Sequence, residues 1–345
     1  MARRDPGWRD AAAAELLARV LGVDPPTGRI LLVDHPPDTL PETLAALGPE
    51  RWDRADTGGR PGVAWPGGRT DFDAALVRLP RSRDALAFAL HATVAVTRPG
   101  APVFVFGAKD EGIGSTGPRM TGLLDEVASL ATGGRCRVLR GVRPETPEGL
   151  RASLDAWREV EPLDLPWGRV EWVRYPGTFA RAGVDPGTAL LLEHLAEPGG
   201  AGPLPTGRRV LDVGAGTGLL AAGVRAADPG AELWLVEPDA PARAAAVENV
   251  PGARFAPTFG WAEAGPWHRV VSNPPYHQGK GETLQIVRGL IRGARVSLAT
   301  DGELRLVIQR RHPVEDDLRA AFRRVDVVAD RGPYRVWAAS GADPR

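Results

Sequence analysis

Cysteine is almost missing from this chain of 345 residues. The single thiol, Cys136, excludes an intramolecular disulfide and favours a reducing compartment. Long apolar runs are missing too, because the longest, Ala85 to Thr97, is interrupted by His91 and falls short of the roughly 18 to 20 residues that span a bilayer. The opening stretch, MARRDPGWRDAAAA, has no apolar core of the secretory type. We therefore expect a cytoplasmic protein without membrane insertion.

An excess of charge of either sign is also lacking, since 43 basic residues balance 43 acidic ones. This balance excludes a protein that coats nucleic acid by bulk electrostatics, although local basic patches stay open. Only Lys109 and Lys280 are lysines, so arginine carries nearly every positive charge. Its planar guanidinium suits phosphates and base stacking, but a compositional bias explains the same pattern. The six histidines lack the spacing of a metal site, and we expect no metal.

Two groups of arginines are candidates for contacts with RNA phosphates. They are Arg135, Arg137, Arg140 and Arg143 in the first half, and Arg310, Arg311, Arg319, Arg323 and Arg324 in the second. A solvated surface explains both groups equally well.

The length favours two domains, and the second half alternates strands with helices. Short apolar runs predict strands, and strands that alternate with helices imply a parallel sheet. The predicted strands are RRVLDVG, ELWLVEP, HRVVSNPPY and GELRLVIQ, with RRVDVVAD and YRVWAAS as closing strands. Seven strands are the expected total.

The first half repeats this plan more weakly, which predicts an internal duplication. RILLVDHPPDTLPETLAAL resembles RRVLDVGAGTGLLAAGV, FDAALVRLP resembles HRVVSNPP, and GAPVFVFG echoes DGELRLVIQ. Chance similarity between strand patterns is the alternative. DHPP at residues 34–37 replaces the glycine loop, and prolines supply neither amide donors nor tight glycine turns. The first copy is therefore expected to have lost its ligand site.

The segment from Glu159 to Pro176 is rich in proline and is the predicted linker. We place the boundary near residue 165, with domains over residues 1–165 and 166–345.

Residues 210–220, VLDVGAGTGLL, combine a strand, a glycine turn and a helix start, which lets a ligand approach the backbone. A dinucleotide fingerprint needs a glycine where Leu219 stands, which disfavours NAD. Asp212 would repel a pyrophosphate but suits the cationic amino-acid group of S-adenosyl-L-methionine. Glu237, at the end of the next strand, suits ribose hydroxyls in either cofactor class. A helix cap or a solvated strand end is the alternative for each acid.

The segment SNPPY at residues 272–276 carries the sharpest chemical signal. Two prolines fix a rigid exit from a strand, so the amide oxygen of Asn273 and the carbonyl of Pro274 are expected to point together. A planar NH2 group donates to both acceptors, which directs its nitrogen toward an electrophilic methyl group. Tyr276 is expected to stack on the same plane. A turn without chemistry is the alternative.

VLDVGAGTGLL, Glu237 and SNPPYHQG resemble the class I N-methyltransferases with an N-P-P-(Y/F) motif, which act on base amines or on a glutamine amide. YPGTFARAGVDPGTALLLEHL and IRGARVSLATDGELRLVIQ resemble, more narrowly, the RsmC family of 16S ribosomal RNA guanine-N2 methyltransferases. The resemblance covers residues 170 to 340 and, more loosely, the first half. It implies an α/β protein of two tandem Rossmann-like domains, of which only the second binds cofactor. The second should hold a mostly parallel seven-stranded sheet with an antiparallel edge.

The resemblance also implies roles by position. Residues expected to hold S-adenosyl-L-methionine are Asp212, Gly214, Ala215, Gly216 and Glu237, with Phe179 and the Asp185 to Thr188 turn over its methionine end. Residues expected to hold the target amine are Asn273, Pro274, Pro275 and Tyr276. The chain departs from the family where Thr258 and Phe259 replace the usual Asp or Asn near the adenine, and where His268 replaces an acid.

The expected function is methylation of guanine N2 in small-subunit ribosomal RNA by a monomer, with the first copy helping to fold, orient and bind RNA. Large-subunit RNA remains an alternative, because a sister family shares these motifs. A protein glutamine methyltransferase remains another, because a carboxamide fits the same acceptors. The Thr258 departure keeps open a non-catalytic RNA-binding or assembly protein, and a dehydrogenase is the weakest alternative.

Overall fold

A computed structural model of the chain describes residues 7–57, 59–178, 183–197, 207–275 and 280–341. The chain forms two compact units. Unit 1 comprises Met1–Arg158 and Tyr175–Gly177, and unit 2 comprises Glu159–Arg174 and Thr178–Arg345. No described helix is both long and apolar enough to cross a membrane.

Unit 1 is built on a six-stranded sheet in the order β2-β1-β3-β4-β6-β5. Its strands are β1 Ile30–Val33, β2 Glu50–Trp52, β3 Ala74–Arg78, β4 Pro102–Ala108, β5 Asp125–Gly133 and β6 Cys136–Val142. Its α-helices are α1 Trp8–Leu21, α2 Glu42–Ala45, α3 Arg83–Val96 and α4 Gly117–Met120. Strands β1 and β3 are buried along their whole length, as expected for central parallel strands. The pairing turns antiparallel at β6.

Unit 2 contains a seven-stranded sheet in the order β11-β10-β9-β12-β13-β15-β14 and a two-stranded hairpin, β7-β8. Its strands are β7 Glu159–Leu165, β8 Gly168–Arg174, β9 Arg209–Val213, β10 Glu232–Val236, β11 Arg254–Phe255, β12 Trp267–Ser272, β13 Leu298–Gln309, β14 Arg324–Arg331 and β15 Tyr334–Ser340. Its helices are α5 Pro186–Ala196, α6 Leu219–Ala227, α7 Ala240–Asn249, α8 Lys280–Ser297 and α9 Glu315–Ala321. Strand β15 runs antiparallel to both of its neighbours, so the predicted antiparallel edge is confirmed.

The internal duplication is confirmed by strand order. Removing β11 from the larger sheet leaves β10-β9-β12-β13-β15-β14, which matches β2-β1-β3-β4-β6-β5 strand for strand. The helix before the first strand matches as well, because α1 packs on β4 and β6 while α5 packs on β13 and β15. The two units are therefore copies of one plan.

The prediction that the segment from Glu159 to Pro176 is a linker was wrong. Most of it forms the β7-β8 hairpin, whose buried side chains Leu163 and Trp172 join the core of unit 2. The division falls after Arg158 rather than near residue 165. Pro162 misled the prediction because proline is tolerated on edge strands, and both strands of a two-stranded sheet are edges.

Candidate functional site

Three neighbouring parallel strands, β10, β9 and β12, end at the same edge of the unit 2 sheet. The chain leaves β9 toward β10 on one side and later returns to β12 on the other. Open α/β sheets bind ligands outside the carboxyl ends of the strands at such a switch point. The predicted site residues Gly214, Glu237 and Asn273 each directly follow one of these three strands.

The glycine loop adopts a backbone that requires glycine. Gly214 and Gly216 have φ values of 74° and 56°, in the left-handed region. Amides of Gly214 and Ala215 donate to the Val236 carbonyl at 2.8 and 3.0 Å, which ties the loop to β10. A Cβ atom added at Gly214 or Gly216 would meet no atom of the described residues within 4 Å. The loop therefore offers open backbone that a ligand could approach.

Asp212 lies at the end of β9 and is 1% exposed. Its Oδ2 accepts a hydrogen bond from the Ala221 amide at 3.1 Å, whereas its buried Oδ1 has no partner among the described residues. Burial raises the pKa of Asp212 to about 8. The hydrogen bond from the Ala221 amide lowers this pKa, and the nearby charge of Glu237 raises it. A cationic ligand group would satisfy Oδ1 and stabilise the carboxylate.

Glu237 uses both carboxylate oxygens to hold backbone. Oε2 accepts from the Gly216 amide at 2.7 Å, and Oε1 accepts from the Asp239 amide at 2.8 Å. Burial raises the pKa of Glu237 to about 7, and these amides oppose the rise. Each oxygen keeps a further lone pair for a hydroxyl donor.

Hydrogen bonds from the β7-β8 hairpin and helix α7 hold Thr217 of the glycine loop, and the sequence did not predict them. Nε1 of Trp172 donates to Oγ1 of Thr217 at 2.9 Å. Asn249, the last residue of α7, donates to the carbonyls of Thr217 and Val173 at 3.0 and 2.9 Å and accepts from the Val173 amide at 2.8 Å. The hairpin that replaced the predicted linker thus supports the glycine loop.

Asn273 is 8% exposed and is held through its amide nitrogen. Nδ2 donates to Oδ2 of Asp185 at 2.9 Å and to Oγ1 of Thr188 at 2.8 Å. The buried Oδ1 has no partner among the described residues. Next to it, Oγ of Ser272 donates to the Val213 carbonyl at 2.7 Å and joins the ends of β12 and β9. The carboxamide therefore offers one buried acceptor.

Asp185 also begins helix α5. Its Oδ2 accepts from the amides of Gly187 and Thr188 at 2.9 and 3.1 Å, which is an N-cap, and Pro186 occupies the first turn. The sequence signals this cap through Asp-Pro, but it does not signal the bond to Asn273.

The remaining predicted residues fall into three groups. Thr258 and Phe259 follow β11, and the Phe259 ring is 61% exposed. Pro274 is buried and Pro275 is half-buried. Phe179 and Tyr276 lie outside the described residues.

His268 has a structural partner at the opposite end of β12. Its Nδ1 accepts from the Arg209 amide at 3.1 Å, near the start of β9. Among the described residues, no group of three His, Cys, Asp or Glu side chains is arranged to hold a metal ion.

Several of the candidate phosphate-binding arginines have protein partners. Arg140 pairs with Glu126, Arg310 with Asp330, and Arg319 with Glu315. Arg143 donates to the carbonyls of Val94 and Pro144. The pairs are exposed and could exchange for phosphates, so these contacts stay a prediction.

Both units match family models of the methyltransferase small domain. The methyltransferase small domain matches residues 169–338, and the methyltransferase small domain N-terminal family matches residues 26–157. Ribosomal RNA small subunit methyltransferase C of Stutzerimonas stutzeri is 31% identical over 327 residues, which cover 90% of this chain and 94% of the relative. The protein of the same name from Salmonella paratyphi B is 30% identical over 77% of this chain and 75% of its own.

A solved structure shares the fold of the whole chain. It is the T. thermophilus 16S rRNA N2 G1207 methyltransferase (RsmC) in complex with AdoMet and guanosine. The match has a TM-score of 0.78 at 22% sequence identity and covers 97% of this chain and 92% of the other.

Proposed function

The chain belongs to the ribosomal RNA small subunit methyltransferase C family, and from this premise we propose that it transfers a methyl group from S-adenosyl-L-methionine to the exocyclic N2 amine of a guanine in small-subunit (16S) ribosomal RNA. Unit 2 is the catalytic unit, and unit 1 carries no cofactor and serves in folding and RNA binding. The partner is 16S ribosomal RNA or the small ribosomal subunit.

The observation that carries this proposal is the buried Oδ1 atom of Asn273. Leaving a buried acceptor unpaired costs about 1 to 3 kcal/mol, so its retention at the carboxyl edge of the sheet favours a ligand that donates a hydrogen bond there. The guanine N2 group is such a donor. Its second hydrogen is assigned to the Pro274 carbonyl, and Tyr276 to stacking on the base.

The residues of unit 2 fit S-adenosyl-L-methionine. Oδ1 of Asp212 is a buried acceptor without a partner among the described residues and suits the ammonium group, and Glu237 has lone pairs left for ribose hydroxyls. The positive-φ glycines leave space beside the loop, and the exposed Phe259 ring is available for the adenine. When bound, S-adenosyl-L-methionine would supply an electrophilic methyl group on a sulfonium, which an amine nitrogen can attack with a neutral thioether as the leaving group.

Catalysis by this chain is assigned to positioning. Asn273 orients the amine so that its nitrogen faces the methyl group, which lowers the entropic part of the barrier. We assign no general base, because the amine can lose its proton to water after transfer. Metal-free catalysis, a monomeric state and a cytoplasmic location belong to the same proposal.

The test is transfer of tritium from labelled S-adenosyl-L-methionine to separated ribosomal subunits, their naked RNAs and release factors, all from a strain that lacks this protein. We expect label in small-subunit RNA, recovered as N2-methylguanosine and unchanged by EDTA. The Asn273→Ala variant should lose at least about 100-fold in kcat, because the amine is no longer oriented, while its cofactor Kd stays near the wild-type value.

The other outcomes would identify the alternatives. Label in large-subunit RNA would move the substrate to that subunit, and label confined to protein would point to a glutamine methyltransferase. Cofactor binding without transfer to any of these would overturn the enzymatic proposal. Full activity of Asn273→Ala would remove Asn273 from the mechanism.

A further inference from the structure

The side chain of Asn273 is oriented by two residues of another element. One Nδ2 hydrogen goes to the carboxylate of Asp185 and the other to the hydroxyl of Thr188, both at the start of α5. A carboxylate only accepts hydrogen bonds, so a flipped amide would set its own oxygen against the Asp185 oxygen. Asp185 therefore decides which end of the carboxamide faces the rest of the site.

We propose that Asp185 and Thr188 are positioning residues that lock the Asn273 carboxamide with only its oxygen available, so that the site selects an amino group over a carbonyl. The proposal rests on the proposed function and deepens it. Guanine carries an amine at N2 and a carbonyl at O6, and a locked acceptor distinguishes the two. Donation to a carboxylate also strengthens Oδ1 as an acceptor, because linked hydrogen bonds polarise one another.

The internal duplication gives this tether independent support. In unit 1 the helix before the first strand is α1, and its Asp10 accepts from Nε of Arg78, the last residue of β3, at 2.7 Å. In unit 2, α5 and β12 are the corresponding elements, and they are joined by Asp185 and Asn273. In each unit, an aspartate at the start of the helix is therefore hydrogen-bonded to a residue at the end of the corresponding strand. Among the described residues, the buried Oδ1 of Asn273 in unit 2 is an acceptor without a partner at this strand end, whereas Arg78 in unit 1 only donates.

The resemblance to the family implies a different role for the same turn, namely contact with the methionine end of the cofactor. The two roles predict different measurements. A cofactor contact would raise the cofactor Kd when the side chain is removed. A positioning role would lower kcat and alter the Asn273 amide without changing that Kd.

The variants separate positioning from helix capping. Asp185→Ser keeps a good N-cap residue but is too short to reach Asn273. Thr188→Val removes the hydroxyl at nearly constant shape, and Thr188→Ser restores it. Ser82→Ala is the control for lost capping, because Ser82 caps α3 in unit 1 through the Ala85 amide.

The first readout needs neither substrate nor cofactor. Asn249 and Asn273 are the only two asparagines in the chain, so labelling asparagine side chains with 15N gives two NH2 signal pairs. Both pairs should exchange slowly with water in the wild type. Asp185→Ser and Thr188→Val should speed exchange of the Asn273 pair about tenfold or more, since a charge-assisted or buried hydrogen bond is lost. The exchange rate of the Asn249 pair, which is bonded to Val173 and Thr217, should not change.

The second readout is kinetic. Asp185→Ser and Thr188→Val should lose about 10- to 100-fold in kcat with an unchanged cofactor Kd, because the amine is misplaced rather than unbound. Thr188→Ser should recover most of the loss, and Ser82→Ala should lower only the Tm.

Rapid exchange of the Asn273 pair in the wild type, or its continued protection in Asp185→Ser, would overturn the proposal. A rise in cofactor Kd that accounts for the whole loss would do the same and assign the turn to the cofactor. A wild-type protein that methylates no RNA would refute the proposed function alone, and the amide signals would still decide whether Asp185 holds Asn273.

Discussion

Oε2 of Glu237 accepts a hydrogen bond of 2.7 Å from the backbone amide of Gly216. The acid after β10 and the glycine loop after β9 are therefore one hydrogen-bonded unit. Asp212 is buried as well, and burial is the main cause that raises its pKa, with a smaller contribution from the nearby Glu237. Two buried acids beside an open backbone make cofactor binding sensitive to pH.

Cofactor binding should release protons at pH 7. Burial raises the pKa of Asp212 to about 8 and that of Glu237 to about 7, so both are partly protonated in the free protein. An ammonium group beside Asp212 lowers its pKa, and by linkage the affinity must then increase as the pH rises from 6 to 7.5. Calorimetric titration at pH 7 in two buffers of different ionisation enthalpy measures the released protons. A binding enthalpy that is the same in both buffers would contradict this.

Asp212→Asn should stabilise the ligand-free protein at high pH. The folded-state pKa of Asp212 is raised, so its contribution to the free energy of unfolding is largest below the unfolded pKa near 4 and is lost as the pH rises through about 8. The Tm of the variant should exceed that of the wild type at pH 8.5 by more than at pH 5, at about 2 to 4 °C per kcal/mol. Cofactor binding should be lost in the same variant. A Tm difference independent of pH would refute the buried ionisation.

Asn249→Ala should weaken cofactor binding indirectly, because Asn249 supports the glycine loop through the Thr217 carbonyl. The change removes three hydrogen bonds and leaves both backbone groups of Val173 without this partner, which costs about 2 to 3 kcal/mol. Because the Thr217 carbonyl is released as well, we expect the cofactor Kd to rise about tenfold. Urea denaturation and calorimetry measure the two effects. Val247→Ala, at an exposed position of the same helix, is the control and should change neither.

Comparing Gly216→Ala with Gly252→Ala should separate the cost of backbone strain from the loss of space for the ligand. Gly216 and Gly252 both have positive φ, at 56° and 79°, and an added Cβ meets no described atom within 4 Å at either position. Each alanine variant should lose a similar 1 to 2 kcal/mol, about the cost of a left-handed alanine. Only Gly216→Ala should lose cofactor affinity, by about 100-fold, because the new methyl group occupies the ligand's side of the loop. Equal affinity in the two variants would place the cofactor elsewhere.

Much of this fold follows from the sequence because the central strands are short, apolar and closed by glycine, acid or proline. The sequence predicts strands in RRVLDVG, ELWLVEP and HRVVSNPPY, and the observed strands β9, β10 and β12 all end at the carboxyl edge of a parallel sheet. Strand-end residues were therefore predicted as site residues from local pattern alone. The hairpin was missed because proline and glycine mark edge strands and turns as readily as linkers.

Long-range hydrogen bonds were beyond the sequence. Asp185 and Asn273 are 88 positions apart, and Thr217 and Asn249 are 32 apart. No local periodicity encodes such a pair, because it forms only when the sheet brings two strand ends and a helix start together. Asp185-Pro186 could predict the cap of α5, and Asn249 could be predicted to end a helix, but their partners could not.

Arg78→Met should destabilise unit 1 and leave cofactor binding intact. Arg78 is 5% exposed, and it donates to Asp10 at 2.7 Å and to both oxygens of Glu111 at 2.7 and 2.8 Å. It ends the strand that corresponds to β12, so ion pairs here occupy the position that we propose for the substrate in unit 2. Removing the cation leaves two largely buried carboxylates unpaired, which costs about 3 to 5 kcal/mol.

Arg9→Met is the matched control for this change, because it removes an exposed ion pair with Asp110 that is worth about 0 to 1 kcal/mol. Urea denaturation should separate the two variants by at least about 2 kcal/mol, while calorimetry should give both the wild-type cofactor Kd. Equal stability would mean that the Arg78 cluster contributes no more than a surface pair. A lost cofactor affinity in Arg78→Met alone would mean that unit 1 still takes part in binding, and the first copy would then have to be regarded as a functional site rather than a degenerate one.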